Sequence, residues 1–191
     1  MRLNCLLIMA TACVISGTGC SQLGPLYHKP EQGFSFYPPA GWRYNPPEEE
    51  ITIFQSHHIK GCEFRPNLNI VVENTDLALE EYVENSKNRH MPKLPGFEII
   101  EEDYLRYGEV WRMIYDHLNP RYNVKLRSLL QLFMRGRTVY AVTCTAPAAL
   151  WDGYGDMFID VLDNFRFGEE AKPIGGGVDP YRGPEIGEVK G

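Results

Sequence analysis

No stretch of this 191-residue chain holds the roughly 20 consecutive apolar residues that a bilayer-spanning helix needs. A basic excess is missing as well. The chain sets 19 Lys and Arg against 25 Asp and Glu, so it offers phosphates no electrostatic footprint, and nucleic acid is excluded as an expected partner. Catalytic motifs are equally scarce. No G-x-S-x-G elbow lifts a serine into position, and no cysteine sits in a recognisable Cys-His setting. Gly175-Gly176-Gly177 follows no strand pattern, which removes the one candidate for a phosphate-cradling loop. The residues therefore imply no catalytic group, no metal and no cofactor.

What is present is concentrated at the start. Arg2 is followed by a largely apolar stretch from Leu6 to Ile15 and then by Ser16, Gly17, Thr18 and Gly19. A short apolar run behind a positive charge and ahead of small residues has the form of an export signal, expected over residues 1–19. The Gly19-Cys20 junction resembles the lipobox of bacterial lipoproteins, which implies that Cys20 becomes the diacylated first residue of the mature chain. Gly17 stands where lipoboxes favour Leu, so simple secretion remains the alternative. Cys13, after Ala10, Thr11 and Ala12, would cut the apolar stretch too short. The expected location is the cell envelope, on the periplasmic or outer face of a membrane, with the lipid as the attachment.

Removing residues 1–19 leaves 172 residues with 18 basic and 25 acidic side chains, a formal charge of −7 with His neutral. That length suits one domain with flanking segments. Cys5 and Cys13 leave with the signal, and lipidation of Cys20 would leave only Cys62 and Cys144. An even pair in an oxidising compartment suggests a disulfide between them; buried free thiols are the alternative.

Residues 20–32, polar and carrying Gly24, Pro25 and Pro30, read as a flexible tether. Residues 168–191 hold seven Gly and three Pro with few apolar side chains, a composition expected to stay disordered. Between them, 33–167 alternates strand and helix patterns. Phe34 and Phe36 share one side of a first strand, Ile51 and Ile53 repeat that alternation, and Leu68, Ile70 and Val72 mark a third. Leu79, Tyr82, Val83 and Ser86 form a helical stripe over residues 77–89, with Thr75 or Asp76 as N-cap and Pro92 and Pro95 beyond its end. Strands follow at 97–105, 110–118, 125–135 and 138–145, joined by tight turns at Tyr107-Gly108-Glu109 and Arg135-Gly136-Arg137, so neighbours pair antiparallel. A last helix over 148–165 presents Phe158, Val161, Leu162 and Phe165, with Gly153 and Gly155 weakening its start. The order predicts an α+β sandwich, an antiparallel sheet covered by helices.

Three segments carry a resemblance. Phe34-Ser35-Phe36-Tyr37-Pro38-Pro39-Ala40-Gly41-Trp42 resembles the F-x-Y-P-x-G-W opening of PsbP-like domains and of the related DcrB-type bacterial proteins, with one additional proline. Thr138 to Thr143 is similar to that family's penultimate strand, and Asp163-Asn164-Phe165-Arg166-Phe167 to its closing helix and strand. The likeness spans about residues 33–167. It implies a PsbP-like α/β/α sandwich and a binding or assembly role, since the family acts on varied partners and fold alone fixes no activity.

Possible sites are few. His57, His58, Cys62 and Glu63 form the densest ligand-type cluster, but adjacent His side chains on an extended segment point apart, and a solvated loop is the simpler reading. Glu101, Glu102 and Asp103 alternate faces of a strand, and Asp152, Asp156, Asp160 and Asp163 suit the wet face of a helix. Eleven Tyr and three Trp in a small chain make an aromatic partner surface plausible. Tyr104, Tyr107 and Tyr122, beside expected turns, are the candidates for partner binding. The leading expectation is a lipid-anchored, non-enzymatic module that binds an envelope protein. A solute- or metal-binding lipoprotein and a small envelope hydrolase are the alternatives.

Overall fold

The structure, a computed structural model, describes residues 22–45, 51–105 and 109–171. Among the described residues, β1 (Tyr27–Lys29), β2 (Phe34–Phe36), β3 (Arg43–Tyr44), β4 (Ile51–Gln55) and β5 (Asn67–Asn74) precede α1 (Leu79–Arg89). Then come β6 (Glu98–Leu105), β7 (Val110–Asn119), β8 (Val124–Arg135), β9 (Thr138–Pro147), α2 (Gly155–Asp163) and β10 (Arg166–Phe167). β3 to β9 make one antiparallel sheet in the order β3-β4-β5-β9-β8-β7-β6, and β1, β2 and β10 make a small second sheet.

The expected antiparallel α+β layering is what the structure shows, with the β6 to β9 meander supplying four of the seven strands and running out to one edge. Arg135 pairs with Thr138 across a two-residue turn, where Gly136 takes a left-handed φ of 61° that glycine adopts without steric cost. The β7–β8 loop instead uses Asn123 at φ 49°, and the Asn119 Oδ1 accepts from the backbone N–H groups of Arg121 and Tyr122.

Period-two alternation sends the residues of β7 to two separate cores. Val110 and Ile114 face α2 and the small sheet, where Phe34, Phe36, Phe133, Phe158 and Phe165 pack. Phe165 is the hub: its ring stacks on Phe36 at 4.9 Å and 6°, and on Phe34 and Phe133 at 5.6 and 5.4 Å. Trp111, Met113 and Tyr115 face α1, meeting Leu79, Val83 and Met91.

Several local expectations change. Residues 27–32 are not tether: β1 pairs with β2, a 3-10 turn follows, and Tyr27 is buried against Phe54. In β4 the buried positions are Thr52 and Phe54, while Ile51 and Ile53 lie on the opposite, half-buried face. α1 starts after Ala78, because the Thr75 hydroxyl accepts from the Leu77 N–H and so turns the chain before the helix. The last helix is split into a 3-10 segment, Ala148–Gly153, and α2. Gly155 opens α2 because the Trp151 indole lies against it; a Cβ there would meet the indole Nε1 at 2.9 Å. Gly168–Ala171, assigned to the tail, form another 3-10 turn, and the Gly168 N–H donates to the Gly33 carbonyl. The remainder of the tail, residues 1–21 with Cys20, and Tyr107 lie outside the described residues.

Candidate functional site

Of the three tyrosines proposed for partner binding, Tyr104 and Tyr122 can be placed. Tyr104 sits on β6 opposite Trp111 of β7 and is 43% exposed. Tyr122 sits in the loop beyond Asn119, at the other end of β7. Trp111 and Asn119 are eight residue steps apart along β7, roughly 26 Å at strand rise. The two rings therefore belong to different surfaces.

The first surface is the outer edge of the large sheet. Among the described residues β6 is a terminal strand, and Ile99 and Ile100, nearer its start than Tyr104, are also exposed. Its register slips between Ile99 and Glu101, a bulge that breaks the simple alternation expected for Glu101, Glu102 and Asp103. Those three do not converge as an acid pair: Glu102 holds the Lys87 ammonium of α1 at 3.0 Å, and Asp103 lies opposite Arg112. Bulges and charges are the usual guards of an open edge, so indiscriminate pairing is discouraged while the backbone stays available to a matched strand.

The second surface is a shallow pocket of about 480 Å³ at the opposite end, lined by Gln55, His58, Glu63, Phe64, Arg65, Asn67 and Tyr122. The Phe64 and Tyr122 rings meet at 6.3 Å and 73°, and the Arg121 guanidinium lies 5.2 Å from the Tyr122 ring centre. Sequence reading placed Tyr122 correctly near a turn but could not show that residues 55–67 meet it.

Two polar networks were not legible beforehand. Asp116 on β7 is buried, and its carboxylate takes two hydrogen bonds from Arg127 at 2.7 and 3.0 Å and the Lys125 ammonium at 2.9 Å. Arg127, reinforced by Lys125, holds the Asp116 carboxyl below the ordinary carboxylate range despite burial. On the opposite face, Ser128 Oγ lies 3.3 Å from His117 Nε2 and 2.9 Å from Thr145 Oγ1. Burial lowers the His117 pKa, which keeps the ring neutral. This Ser-His contact resembles an activated nucleophile only on paper, because Ser128 is 1% exposed and already shared with Thr145.

The bridge expected between Cys62 and Cys144 is not formed; both are free thiols. Cys144 lies mid-strand on β9 between Leu68 and Leu129, inside the aromatic core, whereas the Cys62 thiol donates to the Phe64 carbonyl at 3.1 Å. His57 and His58 are exposed, and among the described residues no three His, Cys, Asp or Glu side chains converge as metal ligands. Asp163 of the α2 acidic series pairs with Arg112 at 2.9 Å. Among the described residues no helix is long and apolar enough to cross a membrane.

Comparison with known proteins adds the fold. The chain resembles the solution structure of cyanobacterial PsbP from Synechocystis sp. PCC 6803, with a TM-score of 0.56 and 17% identity over 79% of this chain and 95% of that one. The fold is PsbP-like. LpqN of Mycobacterium tuberculosis, described as involved in cell envelope biogenesis, gives a TM-score of 0.59 at 11% identity, covering 75% of this chain and 90% of its own. The Ran-binding protein Mog1p of Saccharomyces cerevisiae gives 0.57 at 10% identity, covering 76% and 96%. No family model and no curated protein sequence matches the chain.

Proposed function

We propose that this chain is a non-enzymatic binding or assembly module of the cell envelope, lipid-anchored through Cys20, that engages another envelope protein along the free edge of β6. The observation that carries the reading is an eight-residue edge strand on which Ile99, Ile100 and Tyr104 are 39%, 46% and 43% exposed. Apolar side chains on an open edge can anchor a partner strand, while main-chain groups supply hydrogen bonds. Glu101 and Asp103 add negative charge, so the fitting partner segment is extended and cationic. The fold's presence in an envelope-biogenesis protein and in a Ran-binding protein supports a role in protein association at the envelope.

Placing a photo-crosslinking residue at Ile100 or Tyr104 of the full chain, expressed in its native envelope, tests the interface. A single partner should crosslink from both positions and not from Asp156 on the outer side of α2. Equal capture from all three positions, or from none, would refute the edge as the interface. Cys20→Ala should release the protein to the soluble fraction, and unchanged membrane retention would refute the anchor.

A further inference from the structure

The pocket at the Tyr122 end is built from two stretches of chain, residues 55–67 and the loop that carries Tyr122, and several hydrogen bonds brace them. The Ser56 N–H donates to the Pro66 carbonyl at 2.9 Å, Asn67 Nδ2 to the Arg65 carbonyl at 3.1 Å, and the Cys62 thiol to the Phe64 carbonyl at 3.1 Å. Asn45 Nδ2 reaches Gln55 Oε1 at 3.5 Å, and Asn119 fixes the loop that carries Tyr122. The walls are therefore held before any ligand arrives, which lowers the ordering cost of binding.

The chemistry of the walls narrows the ligand. Arg65 can only donate hydrogen bonds, an ionised Glu63 can only accept them, and the Gln55 and Asn67 amides do both. Among the described residues neither Arg65 nor Glu63 is held in an ion pair. A strongly anionic ligand would meet Glu63, and a cationic one would meet Arg65. A wholly apolar ligand would strip water from Gln55, His58, Glu63, Arg65 and Asn67 without replacing it. A neutral molecule bearing adjacent hydroxyls, each both donor and acceptor, can pair with every one of these groups, and its C–H face suits the Phe64 and Tyr122 rings. The volume of about 480 Å³ is that of a small-ligand site.

From this juxtaposition we propose that the pocket lined by Gln55, His58, Glu63, Phe64, Arg65, Asn67 and Tyr122 binds a neutral, hydroxyl-rich glycan. The pocket's Tyr122 ring lies beyond the Asn119 end of β7, at the opposite end of that strand from the position facing Tyr104. Either a soluble oligosaccharide or a chain end of an envelope polysaccharide carries this chemistry.

Saturation-transfer NMR on the purified full chain in detergent, with maltotetraose, cellotetraose and the tetramer of N-acetylglucosamine as probes, tests the proposal. At least one should bind with a dissociation constant on the order of 1 mM or tighter. Tyr122→Ala should weaken that binding about tenfold or more, while Tyr122→Phe, which keeps the ring, should stay within about threefold. Arg65→Ala, an exposed change that spares the fold, should weaken it about fivefold or more. Sedimentation with insoluble envelope polysaccharide then separates the two sources: retention that Tyr122→Ala abolishes assigns the polymer, and binding confined to the free tetramers assigns the soluble sugar. No binding of any tetramer at about 10 mM, binding that survives all the variants, or selective uptake of a tetrapeptide or citrate instead would overturn the proposal. Crosslinking from Ile100 should persist in Tyr122→Ala, so that failure of the glycan site and failure of the edge interface are read separately.

Discussion

The two faces of the seven-stranded sheet are covered differently. One face, toward α2 and the small sheet, is sealed by stacked aromatic rings, and its inward side chains from Phe54 through Leu68, Val142 and Leu129 are fully buried. The other face carries α1, which packs on Trp111, Met113, Leu132 and Val139. The register Ile51, Val71, Ala141, Leu132 continues that second face across β4, β5, β9 and β8. Along that row burial falls away from α1, until Val71 is 36% exposed and Ile51 is half-buried. The sealed face holds the fold together. The partly covered one borders the two surfaces proposed for binding, the β6 edge and the Tyr122 pocket.

The largest expected effect is on the sealed face. Phe165→Ala removes the ring on which Phe34, Phe36 and Phe133 all stack, and should cost about 3 to 5 kcal/mol. Leu79→Ala, at the first turn of α1 on the other face, should cost nearer ~2 kcal/mol, because neighbouring side chains can relax into the gap. Denaturant unfolding of both variants checks the ranking. Equal losses would mean that the α1 face is packed as tightly as the aromatic one.

Between the two in size stands the Asp116 network. Arg127→Ala leaves a buried carboxylate with Lys125 as its remaining cation, which should cost roughly 3 kcal/mol. The pH dependence has a definite sign. Asp116 has a depressed folded pKa, so its contribution is present above the unfolded value of about 4 and is lost as pH falls through the lower folded one. His117 is also depressed, by burial; below about pH 6.5 the unfolded chain takes up its proton more readily, and stability declines there too. Thermal melts from pH 7 to 3 should show two successive losses. His117→Gln should flatten the upper one and Asp116→Asn the lower. A single unshifted profile in all three proteins would show that neither group governs it.

Cysteine labelling reads the same contrast chemically. Cys144, sealed in the aromatic core with its thiol pKa driven up by burial, should react only on unfolding, whereas the half-buried Cys62 should react in the folded protein. Protection of both thiols in denatured, unreduced protein would restore the bridge.

Much of this architecture could be read from side-chain spacing. The β6 to β9 meander follows from four alternating runs and from the Gly136 turn, and Phe158, Val161 and Leu162 of α2 are buried together with Phe165, which lies just past the helix end at Asp163 rather than in its last turn. Strand alternation, however, does not say which parity faces in. The β-branched Ile51 and Ile53 looked like core until tertiary packing gave that place to Thr52 and Phe54. Likewise β1 hid in a polar segment, because a three-residue strand carries too little periodicity to detect and its only large ring is Tyr27. The sites were least legible. Asp116 meets Lys125 and Arg127 only through the β7–β8 pairing, and the pocket joins Gln55 to Tyr122 across 66 intervening residues. Tyr104 stood out as a candidate because it lies near the end of a run before an expected turn, a local signal.

The smallest expected effect on stability separates an exposed ring from the core ring opposite it. Tyr104 and Trp111 are cross-strand partners on β6 and β7, yet Trp111 is 1% exposed and Tyr104 is 43% exposed. Trp111→Ala should cost about 3 to 5 kcal/mol, whereas Tyr104→Ala, which empties no enclosed space, should stay within about 0.5 kcal/mol. In a domain of this size that is a melting shift of roughly 1 to 2 °C. If β6 is a docking edge, Tyr104→Ala should nevertheless weaken partner crosslinking from Ile100, since a truncated interface anchor typically costs about 2 kcal/mol or more. A stability loss comparable to that of Trp111→Ala would make Tyr104 part of the core. An unchanged melt with unchanged crosslinking would remove it from the interface, leaving Ile99 and Ile100 as the apolar anchors of the edge.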